Sequence, residues 1–370
     1  MPLIQTKQNR PIIAACGVSN RRKGLRRVAN MLKDEYNRTV ILRGCNVLGH
    51  LHDAISGDWE SWDYYDSSEV DLFMDGLQRL GVNCVRDMTH AKGWVDDSAS
   101  NSDIGGLTYQ GLQKDFIARA RARGIYVILS DFTVMSIPYH TQDWAGYGTH
   151  PTSPEEDNYF SQAQFITYSA NRNIELGRLN NYIASVWNEM FYMDSAKIVE
   201  WQTVYNAVIA AMRAGGSNTL MCAQYSYTLG IWGTPSDVWR GINWYVNYPL
   251  TDLADNYLIS FHWYRNETGQ ITYAGILDLL TNTFPVITYS ASRPLICEEV
   301  GADDSSQDEL DFLEHTLTVL NENRISFLSW VLSSEGQGWD ELTAASAKSA
   351  LSLNSAGQIV ADAVASGKVI

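Results

Sequence analysis

From about residue 39 to residue 331, short runs of β-branched and apolar residues alternate with longer stretches whose apolar positions recur every three or four residues. Parallel βα units impose this pattern. A strand buried on both faces reads as a continuous apolar run, whereas the helix covering it needs only one apolar stripe. Eight strand candidates follow one another: TVILRGCN from Thr39, VNCVRDM from Val82, IYVILSDF from Ile125, IASVWN from Ile183, TLMCAQ from Thr219, LISFHWY from Leu258, PLICEE from Pro294 and ISFLSWV from Ile325. Eight is the number at which such units close into a (β/α)8 barrel.

The intervening segments carry helical stripes, Val70, Phe73, Met74, Leu77 and Leu80 in one and Leu310, Leu313, Leu317 and Leu320 in another. Gly81 and Gly124 fall where a left-handed terminator belongs. A helix opening near Asp194 or Ser195 runs through Ile198, Trp201, Tyr205, Val208, Ile209 and Met212 and stops at Gly215 and Gly216. Upstream, MLKDEYNRTVIL has apolar runs on either side of a polar Asp34–Asn37 turn and reads as a hairpin that plugs the barrel bottom. The expected organisation is an N-terminal extension over residues 1–30, to which no function is assigned, and a single barrel domain over 31–370 with long aromatic-rich βα loops. The basic run Arg21–Arg27 reads as a solvated tail.

Composition narrows the partners. With 27 basic and 42 acidic residues the formal charge is −15, which repels phosphate backbones and anionic membranes, so neither nucleic acid nor a membrane is an expected partner. No run reaches the roughly 18 apolar residues needed to span a bilayer. The N-terminus also lacks a charged start followed by an apolar signal region. The chain reads as soluble, with its compartment open and secretion allowed if this is a mature form. Cys45, Cys84, Cys222 and Cys297 sit inside strand candidates and read as small buried fillers. The 12 Trp and 20 Tyr exceed what a core of this size uses. Many fall in inferred mouth loops (Trp59, Trp62, Trp94, Trp144, Tyr225, Trp232 and others), where some would stack on sugar rings and others pack the loops together.

In a (β/α)8 barrel the active site lies at the C-terminal ends of the strands, and there the fourth candidate ends in Asn188–Glu189 and the seventh in Glu298–Glu299. Glycosidic cleavage needs one carboxyl group to protonate the departing oxygen and another to attack or stabilise the anomeric carbon. Carboxylates converging from opposed strands to about 5–5.5 Å give the retaining mechanism. Other chemistries have weaker support. His50 and His52 form a His-x-His after the first strand, but later strands offer only Gln224 and His262 toward a metal, so no metal is expected. No Gly-x-Ser-x-Gly elbow and no glycine-rich phosphate loop occurs.

Over about Met31–Leu342 the chain resembles glycoside hydrolase family 5 and its relatives, through LRGCN (Leu42–Asn46), GVNCVR (Gly81–Arg86), Asn188–Glu189, His262–Trp263–Tyr264, Glu299–Val300–Gly301 and Trp330. The resemblance implies Glu189 as general acid/base and Glu299, chosen over Glu298 by the Glu-x-Gly form, as nucleophile. It further implies that Arg86 orients Glu299 and keeps it charged, Asn188 binds the sugar 2-hydroxyl, Tyr264 bonds the nucleophile, Trp330 floors the cleaved sugar and His50 contacts sugar. His262 belongs to the same strand motif. Where the family often has His or His-Asn on the third strand, this chain has Asp131, which reads equally as a ligand of sugar hydroxyls and as a cap of the following turn. A neighbouring anionic Glu299 would keep Glu189 protonated and give a bell-shaped pH profile. The expected activity is double-displacement cleavage of β-glycosidic bonds in an oligo- or polysaccharide, endo-acting on a β-glucan or β-mannan, with no cofactor. An exo-acting β-glycosidase on oligosaccharides or glycoconjugates and a non-catalytic glycan-binding barrel stay open as alternatives.

Overall fold

The computed structural model describes residues 24–47, 51, 67–89, 91–97, 107–131, 161–188, 195–224, 248–265, 269–302, 306–333, 342–343 and 353–367. Three short strands come first, β1 (Arg26–Val28), β2 (Met31–Lys33) and β3 (Thr39–Val40), in one antiparallel sheet with Arg26 opposite Lys33 and Leu32 opposite Val40. The Asp34–Asn37 turn expected from sequence joins β2 to β3. The Asp34 carboxylate accepts from the Tyr36 and Arg38 amides, and Asn37 takes the left-handed conformation.

Two sequence readings change here. Arg26 and Arg27 are not a solvated tail, because β1 pairs with β2 and the Arg27 guanidinium ion-pairs with Asp255 below the barrel. Lys23 and everything before it lie outside the described residues. The run TVILRGCN also divides: Thr39–Val40 stay in the small sheet and Arg43 begins the barrel. At the junction Asn83 bonds both the Ile41 carbonyl and the Arg43 amide, and Ser326 Oγ accepts from the Leu42 amide.

The barrel strands are β4 (Arg43–Val47), β5 (Cys84–Thr89), β6 (Tyr126–Asp131), β7 (Tyr182–Ile183), β8 (Met221–Gln224), β9 (Tyr257–Tyr264), β10 (Leu295–Gly301) and β11 (Ser326–Ser333). They pair in parallel in the order β7-β6-β5-β4-β11-β10-β9-β8, and a parallel bridge from Ala184 to Met221 joins the two ends. A further strand, β12 (Leu342–Thr343), pairs with β11. The stripes predicted from sequence face the barrel: Val70, Phe73, Met74 and Leu77 of α1 (Ser67–Leu80) are buried, as are Leu313, Leu317 and Leu320 in the helix Gln307–Glu322. Gly81, Gly124 and Gly216 close their helices at φ near +80°, where a Cβ would be strained. Among the described residues no helix is long and apolar enough to cross a membrane.

Two separate cores result. The outer one lies between strands and helices; the inner one fills the barrel with Leu42, Cys84, Ile128, Ile183, Leu220, Cys222, Leu258, Ile296 and Leu328, and takes Leu25 and Leu32 from the base. All four strand cysteines are buried free thiols. Gly44 of LRGCN serves the closure itself, since a Cβ there would stand 1.8 Å from the Cys84 carbonyl oxygen.

Candidate active site

Alternation along β10 puts Ile296 in the inner core and Cys297 in the outer one, so a regular strand would turn Glu298 inward and Glu299 outward. The strand is not regular. Cys297 pairs with Phe261 and Glu299 with the very next residue, His262, and the ladder to β11 shifts over the same residues. Glu298 is thus the extra residue of a β-bulge, after which Val300 returns to the outer core. The bulge leaves the Glu298 carbonyl out of register, and Asn46 Nδ2 donates to it at 2.8 Å. Both consecutive carboxylates are therefore enclosed with Arg86.

Arg86 from β5 is fully buried and distributes its guanidinium among β4, β6, β10 and the segment that follows β7. Nη1 donates to Glu299 Oε1 at 2.6 Å and to Asn46 Oδ1 at 2.8 Å, Nη2 donates to Asn188 Oδ1, and Nε donates to Ser130 Oγ at 3.1 Å and ion-pairs with Glu298 Oε1 at 3.1 Å. Burial by itself would lower the guanidinium's pKa, but attraction from Glu298 and Glu299 outweighs it, and the net shift is upward, so Arg86 stays charged. One guanidinium therefore joins the ends of the fourth and seventh barrel strands.

The other oxygen of Glu299 is held as firmly: the Tyr264 hydroxyl donates to Oε2 at 2.7 Å, and His262 Nδ1 lies 3.3 Å away. The His262 tautomer follows from its neighbours. Asn188 Oδ1 is already an acceptor for Arg86, so the Gln224 group 3.2 Å from it must be the amide NH2. That same Nε2 lies 2.7 Å from His262 Nε2, which must then accept, leaving Nδ1–H to donate to Glu299. A closed circuit links the five groups: Asn188 Oδ1 accepts from both Arg86 and Gln224, Gln224 donates on to His262, and Glu299 accepts from both His262 and Arg86. It leaves Asn188 Nδ2 without a partner among the described residues, a donor available at the end of β7.

Of the residues singled out from sequence, Arg86, Asn188, His262, Tyr264 and Glu299 are gathered in this cluster, and Trp330 is half-buried on neighbouring β11. Glu189 and His50 lie outside the described residues, as do most of the mouth-loop aromatics. Trp94 is described and is buried with the cations of Lys114 and Arg172 near its ring, a packing role. The cluster also holds three residues to which the sequence assigns no part in this site: Gln224, considered only toward a metal, Asn46, named only within LRGCN, and Glu298, set aside for Glu299. Gln224 could have been picked out, since it ends an apolar strand in the same way as Asn188.

Asp131 departs from both of its sequence readings. It is fully buried, with Oδ1 accepting from Thr89 Oγ1 at 2.9 Å and Oδ2 from Tyr168 at 2.7 Å, beside the Arg172 guanidinium at 3.5 Å. Tyr168 and Arg172 are one turn apart on the helix Gln162–Leu176, which starts in a Ser161–Gln164 capping box. Neither a sugar contact nor a turn cap describes this group: it ties a covering helix to the barrel rim. Burial pushes the Asp131 carboxyl above its ordinary range, against the opposing pull of Arg172, Tyr168 and Thr89. Stability from this group is therefore fullest below about pH 3.8, its ordinary value, and falls as pH rises through the raised folded value. Replacing Arg172 by Met is expected to cost about 3–5 kcal/mol at neutral pH, because it strands a buried charge. Adding Asp131→Asn should recover part of that loss, and acidification should shrink it. Urea unfolding of the single and double variants checks this, and strictly additive losses would refute it.

Comparison with known proteins bears on this geometry. Residues 40–336 match the family model described as Cellulase (glycosyl hydrolase family 5). No curated protein matches by sequence. Among solved structures, the chain resembles a β-glucanase from Saccharophagus degradans in complex with cellotetraose, with TM-score 0.67 and 14% identity over 94% of each chain. It also resembles the catalytic domain of a mannanase from Streptomyces sp. SirexAA-E, with TM-score 0.58 and 17% identity over 97% of this chain and 96% of that one. A third is an endo-β-1,4-glucanase from Xanthomonas axonopodis pv. citri, with TM-score 0.61 and 16% identity over 88% of this chain and 98% of that one.

Proposed function

The chain belongs to glycosyl hydrolase family 5, and from that premise we propose a retaining endo-β-glycanase that cleaves a β-1,4-linked glucan or mannan with Glu299 as nucleophile and Glu189 as general acid/base. The observation that carries the proposal is Glu299 itself: a carboxylate at the C-terminal end of a barrel strand with Arg86 on one oxygen and Tyr264 and His262 on the other. Donors on both oxygens fix the plane of the group, and a fixed nucleophile needs little reorganisation to reach an anomeric carbon. Asn188 supports the partner assignment, because Arg86 brings the residue just before Glu189 to the same guanidinium.

In the first half-reaction a Glu299 oxygen donates its electron pair to the anomeric carbon. The bond to the glycosidic oxygen breaks with its pair, and that oxygen takes the Glu189 proton. In the second half, Glu189 removes a proton from water, the water oxygen attacks the same carbon, and the Glu299 ester opens to restore the carboxylate. Two inversions give net retention. The Asn188 NH2 is suited to the sugar 2-hydroxyl, and half-buried Trp330 offers an apolar face to the ring.

Substrate class comes from the relatives, which include glucanases and a mannanase. The test is hydrolysis of β-1,4-glucan and β-mannan polymers with and without chelator, following product length and anomeric configuration at early times. A ladder of short oligosaccharides released as β-anomers, unaffected by chelator, is the expected result. Release of monosaccharide alone from chain ends, or of α-anomers, would contradict it.

A further inference from the structure

Glu298 is fully buried, and the mechanism above makes no use of it. Its surroundings are donors: Arg86 Nε 3.1 Å from Oε1, the Cys222 thiol 3.7 Å from the same oxygen, and the Ser260 hydroxyl 2.5 Å from Oε2. An ionised carboxylate accepts from all three. The titratable groups that act on it are Cys84 and Arg86 of β5, Cys222 of β8 and Tyr205 of the helix Ser195–Ala214, with Glu299 beside it in the chain and His262 of β9 on the far side of Glu299. Burial, with Glu298 adding to it, pushes the Cys84 and Cys222 thiols well above their ordinary range and does the same to the Tyr205 phenol, so these stay neutral. Arg86 is the enclosed cation, and two carboxylates share it.

This sharing matters when the charges change. Glu299 loses its charge when it forms the ester with the sugar. A buried guanidinium whose only counter-ion disappears becomes an uncompensated buried charge, which is costly. We propose that Glu298 is a positioning residue whose carboxylate keeps Arg86 compensated while Glu299 is esterified, and so holds down the free energy of the glycosyl-enzyme relative to the free enzyme. The proposal rests on Glu299 being the nucleophile. It also gives the bulge a purpose, since only the extra residue allows consecutive side chains to reach Arg86 together.

The same repulsion acts in two places. A charged Glu298 beside Glu299 favours every state in which Glu299 is neutral, whether esterified or protonated. Glu298→Gln, whose amide oxygen can face Arg86 while its NH2 faces Ser260, is therefore expected to slow formation of the covalent intermediate and to move the acid limb of kcat/KM to lower pH. Pre-steady-state release of dinitrophenol from dinitrophenyl β-cellobioside reads the first effect. A burst in the wild type should be lost in the variant, with the glycosylation rate down by about 10-fold or more, while the deglycosylation rate holds or rises. Mere loosening of the site would slow both steps and leave the acid limb in place.

An unchanged burst with an unchanged acid limb, or equal slowing of both steps, would overturn the proposal. Should Glu298→Gln fail to fold, Ser260→Ala removes the donor on Oε2 and weakens the charged form; it should move the acid limb the same way by less, and an unmoved limb would again overturn the idea. Failure of the underlying mechanism reads differently. Wild-type enzyme treated with a 2-deoxy-2-fluoro-β-cellobioside bearing a dinitrophenyl leaving group would then carry no label on the peptide containing Glu299.

Discussion

Glu299→Ala is expected to lower turnover of a β-glucan or β-mannan by about 10⁴-fold or more, because the variant removes the group that forms the covalent bond rather than one that supports it. The fold should survive, since the Glu299 side chain lies at the C-terminal end of the barrel strands and Glu298 still compensates Arg86. Azide separates loss of the nucleophile from general damage. A small anion entering the space left by Glu299 attacks the anomeric carbon from the nucleophile's face, so a rescued aryl β-cellobioside should yield the α-glycosyl azide. Rescue of Glu189→Ala should instead intercept the intact glycosyl-enzyme and give the β-azide. A β-azide from Glu299→Ala, or undiminished cleavage without azide, would remove Glu299 from the mechanism.

Arg86 is the residue whose loss should hurt both folding and activity most. Arg86→Met leaves Glu298 and Glu299 adjacent with no cation, takes the Arg86 donor from the Asn46 carbonyl oxygen and leaves the Asn188 carbonyl oxygen only its bond from Gln224. Removing one partner from a buried ionic cluster costs about 3–5 kcal/mol, and losing a preorganised donor at a reacting group costs about 10²–10³-fold in rate. Arg86→Lys should recover little of either, because one ammonium cannot replace a planar fork reaching Asn46, Asn188 and Glu299 at once. Urea midpoints and kcat/KM measured on the same preparations decide the matter; a Lys variant with wild-type stability and rate would show that the fork is dispensable.

The barrel was legible in the sequence because eight strands buried on both faces must be written in apolar residues, and because helix stripes such as Val70–Leu77 have no other reason to recur. Glu299 was legible only through family resemblance. Alternation counted from Ile296 points to Glu298, and the bulge that brings Glu299 in beside it leaves no mark in local composition. Asp131 illustrates the opposite failure. A polar residue ending a barrel strand was read as facing the mouth, but its partners Tyr168 and Arg172 sit on a helix some 40 residues away, too far for spacing to reveal. Gln224 reads in sequence only as a weak metal ligand, because its part in the site lies in the hydrogen bonds it gives to Asn188 and His262, which only the assembled barrel defines. β1 was missed because three residues, two of them arginine, carry no periodicity to read.

That small sheet under the barrel also bears on where the chain can be cut. The family match starts at residue 40, yet Leu25 and Leu32 fill the inner core from beneath, and Arg27 clamps the sheet to Asp255 and Asn256. A fragment trimmed to the matched span would be a vessel without a floor, its lowest leucines and isoleucines open to water. A piece that carries its own foundation therefore reaches back at least to Leu25, fifteen residues before the matched span begins.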